Sequence, residues 1–431
     1  MIQPLTTKPT SPTTATGFLQ PLLQLPTSGE DNVRTQSLVD ALIEDAVAAD
    51  ASDIHLDPTG TGYQLRFRTD GVMAERFEIG LADAQRIIRA TKSLGNLDVT
   101  ARPLPQDGRV DLQRGKATLS VRIAVTPTVR GEKITIRLPR PELTKLTLRE
   151  LGLSEPDYRL LRGAVDDAQG MVLVSGPTGM GKTTTLYALV HELKQTPQAI
   201  ITVEDPVEDL FEGVTQIQVN ERRGLTFAEG VKGLLRLDPD VILMGEMRDA
   251  ASAKAALDAA DSGHVLLSTL HARDAAGTIT ALRNFGLRDH EIAATLDVIV
   301  AQRLVRRLCG GCRRLAPTRE DDARWLEFFG QKPLKESWYP TGCAECKQTG
   351  YRGRVGIFEV WRLHEQEADL ILNHADENTL RKLLRRQGTL SLLEDDFHKA
   401  CEGVTSLAEI QSLGGFGFYS RRMASTPANA G

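Results

Sequence analysis

The sequence predicts an α/β chain: a small α+β amino-terminal domain, then a domain built on a largely parallel sheet, with a cysteine-bearing segment and a helical carboxy-terminal region after it. Three observations predict it. At 431 residues the chain exceeds the ~100–200 residues of one compact domain, so two or more cores are expected. From Asp157 onward short apolar runs alternate with amphipathic helical runs, the grammar of a parallel sheet covered on both faces. Four of the five cysteines fall in two CxxC pairs.

Composition narrows the class. With 41% apolar and 25% charged residues the chain is not wholly disordered, collagen-like or a disulfide scaffold. A net charge of -5 gives no reason to expect a nucleic-acid partner. No run approaches the ~18 apolar residues of a membrane helix. The best candidates, 171–175 and 298–305, are short or interrupted, the second by Gln302 and Arg303. The amino terminus lacks a basic region followed by an apolar one, so it is not read as a secretory signal. A cytoplasmic location follows as the default, and its cysteines stay reduced.

Residues 1–33, rich in Thr, Pro and Ser, read as a flexible tail that can carry a docking segment at 18–25. Leu38, Leu42, Ile43 and Val47 recur at helical spacing, opening an α+β domain over 34–140. Strands are expected at 54–56 and 63–68, where apolar and polar residues alternate after the turn Thr59-Gly60-Thr61-Gly62. A helix at 83–94 precedes a loop containing Gln106-Asp107-Gly108-Arg109, then strands at 119–124 and 133–138. Pro139-Arg140-Pro141 closes the domain, and 141–155 reads as a linker.

In the core, 156–305, strands are expected at 171–175, 199–204, 241–244 and 265–270, with helices at 182–193, 227–237, 250–261 and 275–285. Residues 306–360 form the tetracysteine segment, and 361–431 the helical end.

The strongest chemical signal follows the first core strand. Gly176-Pro177-Thr178-Gly179-Met180-Gly181-Lys182-Thr183-Thr184 satisfies G-x-x-x-x-G-K-[ST]. Between a strand and a helix, glycine backbone N–H groups and the helix amino end wrap a polyphosphate. Lys182 reaches the β/γ-phosphates and the Thr183 hydroxyl binds Mg²⁺. The competing reading, a plain Gly-rich turn, leaves the Lys-Thr pair unexplained.

Hydrolysis needs acids at strand ends, where parallel sheets place ligands. Glu246 closes the run Val241-Ile242-Leu243-Met244-Gly245-Glu246, a Walker B strand with Gly245 where the Mg²⁺-associated Asp is usual. Glu204 and Glu208 offer a second set after the preceding strand. Each acid alone is more often a solvated or capping residue; their placement after successive apolar strands favours catalysis. His264 and His271 flank the next strand, and His271, at its carboxyl end, is the better candidate for sensing phosphate or a carboxylate.

Cys309, Cys312, Cys343 and Cys346 form two CxxC knuckles with 30 residues between them. Two such knuckles suit tetrahedral zinc with no open position, hence a structural metal. Free thiols and a redox pair are the competing readings.

In order along the chain, the Walker A run, 201–208, 241–249, 263–274 and the tetracysteine resemble the secretion and pilus ATPase family, that of GspE in type II secretion and PilB in type IV pilus assembly. Further motifs agree: Ala51-Ser52-Asp53-Ile54-His55, Arg66-Phe67-Arg68-Thr69-Asp70-Gly71, Gln106-Asp107-Gly108-Arg109 and Gly350-Tyr351-Arg352-Gly353-Arg354. The resemblance implies a RecA-like P-loop ATPase domain using ATP, Mg²⁺ and Zn²⁺. It implies a homo-hexameric ring, cytoplasmic and peripheral at the inner membrane, that drives pseudopilin assembly and protein export. Pilus extension is the alternative, and a nucleotide-binding scaffold a further one. Implied partners are an inner-membrane platform protein and a membrane anchor with a cytoplasmic domain, with no nucleic acid. It also assigns Arg122 and Arg137 of the first domain to the phosphates. Typical members carry an additional docking domain at the amino end, where only a tail is read here.

Overall fold

The computed structural model describes residues 17–23, 31–100, 104–114, 117–166, 170–328 and 330–413. The chain divides into two compact units that meet between Arg140 and Pro141.

In the first unit α1 (Leu19–Leu23) and α2 (Asp31–Ala48) precede β1 (Ala51–Pro58), β2 (Gly62–Thr69) and β3 (Val72–Gly80). Then come α3 (Leu81–Leu94), β4 (Gln106–Arg114), β5 (Ala117–Thr128) and β6 (Gly131–Arg137). The strands form one antiparallel sheet in the order β3-β2-β1-β6-β5-β4. Period-two alternation sends Ile54, Leu56, Leu65, Phe67, Ile123, Val125, Ile134 and Ile136 into the core shared with α2 and α3. The other parity carries Asp53, Asp57, Arg66, Arg68, Arg122, Lys133 and Arg137.

Two expectations need correction here. Gln106-Asp107-Gly108-Arg109 is not a loop but the first half of β4, paired in register with β5 from Gln106↔Val125 to Arg109↔Arg122. The docking segment expected at 18–25 is, over its described part, docked on its own chain. Leu19 is fully buried, and the N–H groups of Phe18 and Leu19 donate to the Asp45 carboxylate of α2. Residues 1–16 and 24–30 of the expected tail, like 414–431, lie outside the described residues.

The second unit begins with the segment expected as a linker. It is packed instead: Leu148, Leu151 and Leu153 are buried in the core. There follow α4 (Glu155–Asp166), β7 (Gly170–Ser175), α5 (Lys182–Leu193), β8 (Ile200–Glu204), β9 (Thr215–Gln218), α6 (Phe227–Leu234) and β10 (Val241–Met244). Next are α7 (Ala250–Asp261), β11 (Val265–Leu270), α8 (Ala275–Asn284), α9 (Asp289–Thr295) and β12 (Leu296–Leu308). The chain ends with β13 (Arg314–Pro317), α10 (Glu320–Phe328), β14 (Glu336–Tyr339), β15 (Tyr351–Arg362), α11 (Glu365–Leu372), α12 (Glu377–Arg386), α13 (Leu392–Cys401) and α14 (Leu407–Leu413).

Its sheet runs β15-β12-β7-β11-β10-β8-β9, parallel except for β15. Both faces are covered, as expected. Val241 and Leu243 of β10 enter one apolar core while Ile242 and Met244 enter the other. Each such fully buried side chain contributes about 1.5–3 kcal/mol. The region beyond Arg303 is less helical than expected. β12 continues to Leu308, and β15 returns antiparallel along it from Leu308↔Tyr351 to Val298↔Arg362. Both ends of the cysteine-bearing segment are therefore strands of the central sheet. Between them β13 and β14 make a separate two-stranded ribbon. Among the described residues no helix is long and apolar enough to cross a membrane.

Candidate nucleotide-binding site

The loop between β7 and α5 has the backbone that its glycines permit. Gly179 and Gly181 lie at φ 78° and Gly176 at φ 155°, and a Cβ on Gly176 would sit 2.5 Å from the Gln302 carbonyl oxygen. Gly181 is the N-cap of α5, so the loop's N–H groups and the helix amino end address one space. Lys182 is buried, and its ammonium donates to the carbonyls of Gly176 at 2.8 Å and Pro177 at 3.2 Å. Burial lowers its pKa; the nearby Glu246 carboxylate opposes that and Arg303 adds to it. Thr183, the expected Mg²⁺ ligand, is exposed, as are Pro177, Thr178 and Gly179, while Met180 and Thr184 are half-buried.

Glu246 leaves the carboxyl end of β10 half-buried. His271 leaves the adjacent β11, and its Nε2 lies 3.7 Å from Glu246 Oε2. The structure therefore brings Lys182, Glu246 and His271 to the carboxyl edges of three neighbouring strands, β7, β10 and β11. His264 is at the opposite end of β11, its Nδ1 lying 2.9 Å from both the Ala259 carbonyl and the Ser262 hydroxyl. At Gly245 a Cβ would meet the Phe227 ring at 3.4 Å and Glu204 Cα at 3.5 Å, so this position faces α6 and β8.

The second acidic set is arranged otherwise than its sequence suggests. Glu204 is 3% exposed and accepts from Thr202 Oγ1 at 2.6 Å, Gln216 Nε2 at 3.1 Å and the Tyr187 hydroxyl. With three donors on it, this carboxylate fixes α5 and β9 to β8 and does not face solvent. Burial and the Glu204 charge push the Tyr187 phenol well above its ordinary range. Glu208 is exposed beyond the cis Asp205-Pro206 bond, and its N–H donates to Tyr187 at 3.2 Å.

Sequence reasoning missed two residues. Arg248 donates to Glu246 and, at 2.9 Å, to Asp205, lies 3.7 Å from Glu221, and stacks over Phe227. Its signal was its place two residues after Glu246. Gln302, a polar interruption in an apolar run, is 1% exposed and reaches the phosphate loop from β12.

In the first unit Arg109, Arg122 and Arg137 stand directly opposite one another across β4, β5 and β6. The row continues to Asp53 and Arg68 of β1 and β2. Asp53 accepts from Arg137 at 3.0 Å. Like charges facing across a sheet repel, and within the row the Asp53 carboxylate offsets part of that repulsion at Arg137 and Arg68.

The four cysteine sulfurs lie within 4.8 Å of one another. Cys309–Cys343 and Cys312–Cys346 are separated by 3.8 Å and Cys343–Cys346 by 3.7 Å. Sulfurs at ~2.3 Å from a tetrahedral zinc are ~3.8 Å apart, so the spacing fits a tetrathiolate metal site. Burial pushes the Cys346 thiol up, but N–H donors from Cys343 and Gly350 and neighbouring thiols outweigh it and bring it down to about 7.

Comparison with known proteins places this arrangement. A family described as "Type II/IV secretion system protein" matches residues 28–412. The chain belongs to that secretion family. Among its relatives the "Type II secretion system ATPase E" of Vibrio cholerae is 36% identical over 384 residues, 89% of this chain and 76% of the Vibrio protein. The "Type IV pilus assembly ATPase PilB" of Myxococcus xanthus is 38% identical over 385 residues, 88% of this chain and 68% of that one. The crystal structure of the Legionella pneumophila ATPase DotB shares the fold at TM-score 0.63 and 22% identity, across 90% of this chain and 97% of DotB.

Proposed function

We propose that the protein is a Mg²⁺-dependent ATPase that works as a homo-hexameric motor of a type II secretion system. One observation carries this reading: a phosphate-binding loop with its lysine, an acid and a histidine converge at the carboxyl edges of adjacent parallel strands. The loop N–H groups and Lys182 bind the polyphosphate and neutralise it. The Thr183 hydroxyl would hold Mg²⁺, which would supply positive charge against the polyphosphate. Glu246 orients the attacking water and takes its proton, and His271 beside it reports whether the γ-phosphate is present. Glu204 supports the site through Tyr187, and Glu208 lies at its margin. Arg122 and Arg137, presented by the first unit of one protomer to the phosphates of an assembled ring, supply the cation that such transition states use, worth ~10³–10⁵ in rate in other nucleotide hydrolases.

The four cysteines would hold Zn²⁺ as a structural ion, tying the end of β12 to the start of β15. The motor acts in the cytoplasm at the inner membrane, on a platform protein and beside a membrane anchor with a cytoplasmic domain. It drives pseudopilin assembly and export. Likeness to a pilus assembly ATPase supports pilus extension as the second reading.

Steady-state ATP hydrolysis over a protein concentration series tests the proposal. The rate per protomer should rise with assembly and vanish in Lys182→Ala and Glu246→Gln, with Glu246→Gln still binding nucleotide. Equal background rates in all three proteins would reject it.

A further inference from the structure

The phosphate loop is hydrogen-bonded by a side chain from outside its own motif. We infer that Gln302, on β12, is a positioning residue for nucleotide binding, which rests on the reading of 176–184 as the phosphate site. β12 runs parallel to β7 with Ala301 level with Ser175, so Gln302 comes level with the first glycine of the loop. There it makes two contacts in opposite senses. Its Nε2 donates to the Met180 carbonyl at 2.8 Å, and its Oε1 accepts from Thr185 Oγ1, in the first turns of α5, at 2.5 Å. The amide orientation is unambiguous, because a main-chain carbonyl can only accept.

The consequence for the loop follows from peptide geometry. The Met180 carbonyl and the Gly181 N–H share one planar trans unit and point in opposite directions. Tying the carbonyl toward β12 therefore aims the Gly181 N–H away from β12, in the sense a bound phosphate oxygen requires. The glycines fit the same contact. A Cβ on Gly181 would approach Gln302 Nε2 to 3.0 Å, and one on Gly176 would strike the Gln302 carbonyl oxygen. At 1% exposure the side chain is shielded from bulk water.

Two variants of the full chain test this. Gln302→Met keeps length and volume but has no hydrogen bonds, and Thr185→Val removes only the hydroxyl that anchors the amide. Mg·ADP affinity is measured by titration calorimetry alongside steady-state ATP hydrolysis. Gln302→Met should weaken Mg·ADP about tenfold, which is ~1.4 kcal/mol, and Thr185→Val by a smaller factor. In both, KM for ATP should rise while kcat at saturation stays within about twofold of wild type. Wild-type affinity in a folded Gln302→Met overturns the inference, as does a fall in kcat with affinity unchanged. Should Gln302→Met not fold, unchanged affinity in Thr185→Val overturns it alone. Lys182→Ala separates the two levels: if it binds Mg·ADP as wild type does, the assignment of the loop fails, and not the role of Gln302.

Discussion

Removing one carboxyl from α13 should stabilise the protein. Asp396 is 1% exposed, and neither of its oxygens has a hydrogen-bond partner. Burial pushes it up to about 8, helped by Asp395 and Glu409 and opposed by Lys399. In the unfolded chain the same group titrates near ~3.9. At pH 7 folding must therefore take up a proton, at ~1.4 kcal/mol for each pH unit above the unfolded value, or ~4 kcal/mol. Leaving polar atoms unpaired adds ~1–3 kcal/mol. Asp396→Ala removes both and leaves a cavity that returns part of the gain, so the net expectation at pH 7 is about 2–4 kcal/mol.

The sign of the pH dependence is fixed. Because the folded value is raised, wild-type stability falls as pH rises from about 4 to about 8 and is level beyond, with the folded state holding the extra proton in between. The variant lacks this decline, so its advantage widens through that window and then flattens. Thermal unfolding of both proteins between about pH 5 and about pH 9 reads it, at about 2–4 °C per kcal/mol for a domain of this size. An advantage that does not change with pH, or a less stable variant at pH 7, would refute the reasoning.

Two further outcomes are expected. Arg248→Ala should lower kcat by ~10²-fold through a displaced Glu246, with KM for ATP nearly unchanged. Arg248→Lys, which cannot span Glu246 and Asp205 together, should recover only part; parallel loss of nucleotide binding would contradict this. Zinc should be present at one ion per chain in purified protein and absent from Cys343→Ser, read by elemental analysis. Chelation should expose 309–346 to protease while Mg·ADP still binds, and a simultaneous loss of that affinity would show the ion to act beyond its own segment.

The parallel core was legible because fully buried strands announce themselves. Val241-Ile242-Leu243-Met244 and the run 265–270 are continuous apolar stretches of strand length, and both stand as read. β3 and β4 were not legible. They are the two edges of the first sheet, and β3 buries only Ile79 fully, so it carries no clear two-residue period. β15 was obscured differently, since a buried strand directly after the second CxxC pair was absorbed into the cysteine segment. At the site, Lys182, Glu246 and His271 were visible because each follows a strand at a motif position. The saturation of Glu204 was not, because its donors come from α5, β8 and β9. Gln302 was visible only as a blemish in an apolar run, 118 residues beyond the end of the loop it supports.

Strand β12 also sets a mechanical condition. From Gln302 to Cys309 the chain advances seven residues, about 23 Å of extended backbone, laddered to β15 as far as Leu308 with one register shift between Arg306 and Leu308. A laddered ribbon bends but does not stretch, since elongation would break every rung at once. The sulfur knuckle at one end and the phosphate loop beside the other thus keep a fixed separation. Force applied at the knuckle reaches the loop along this ladder, and the register shift between Arg306 and Leu308 is where the ribbon would bend.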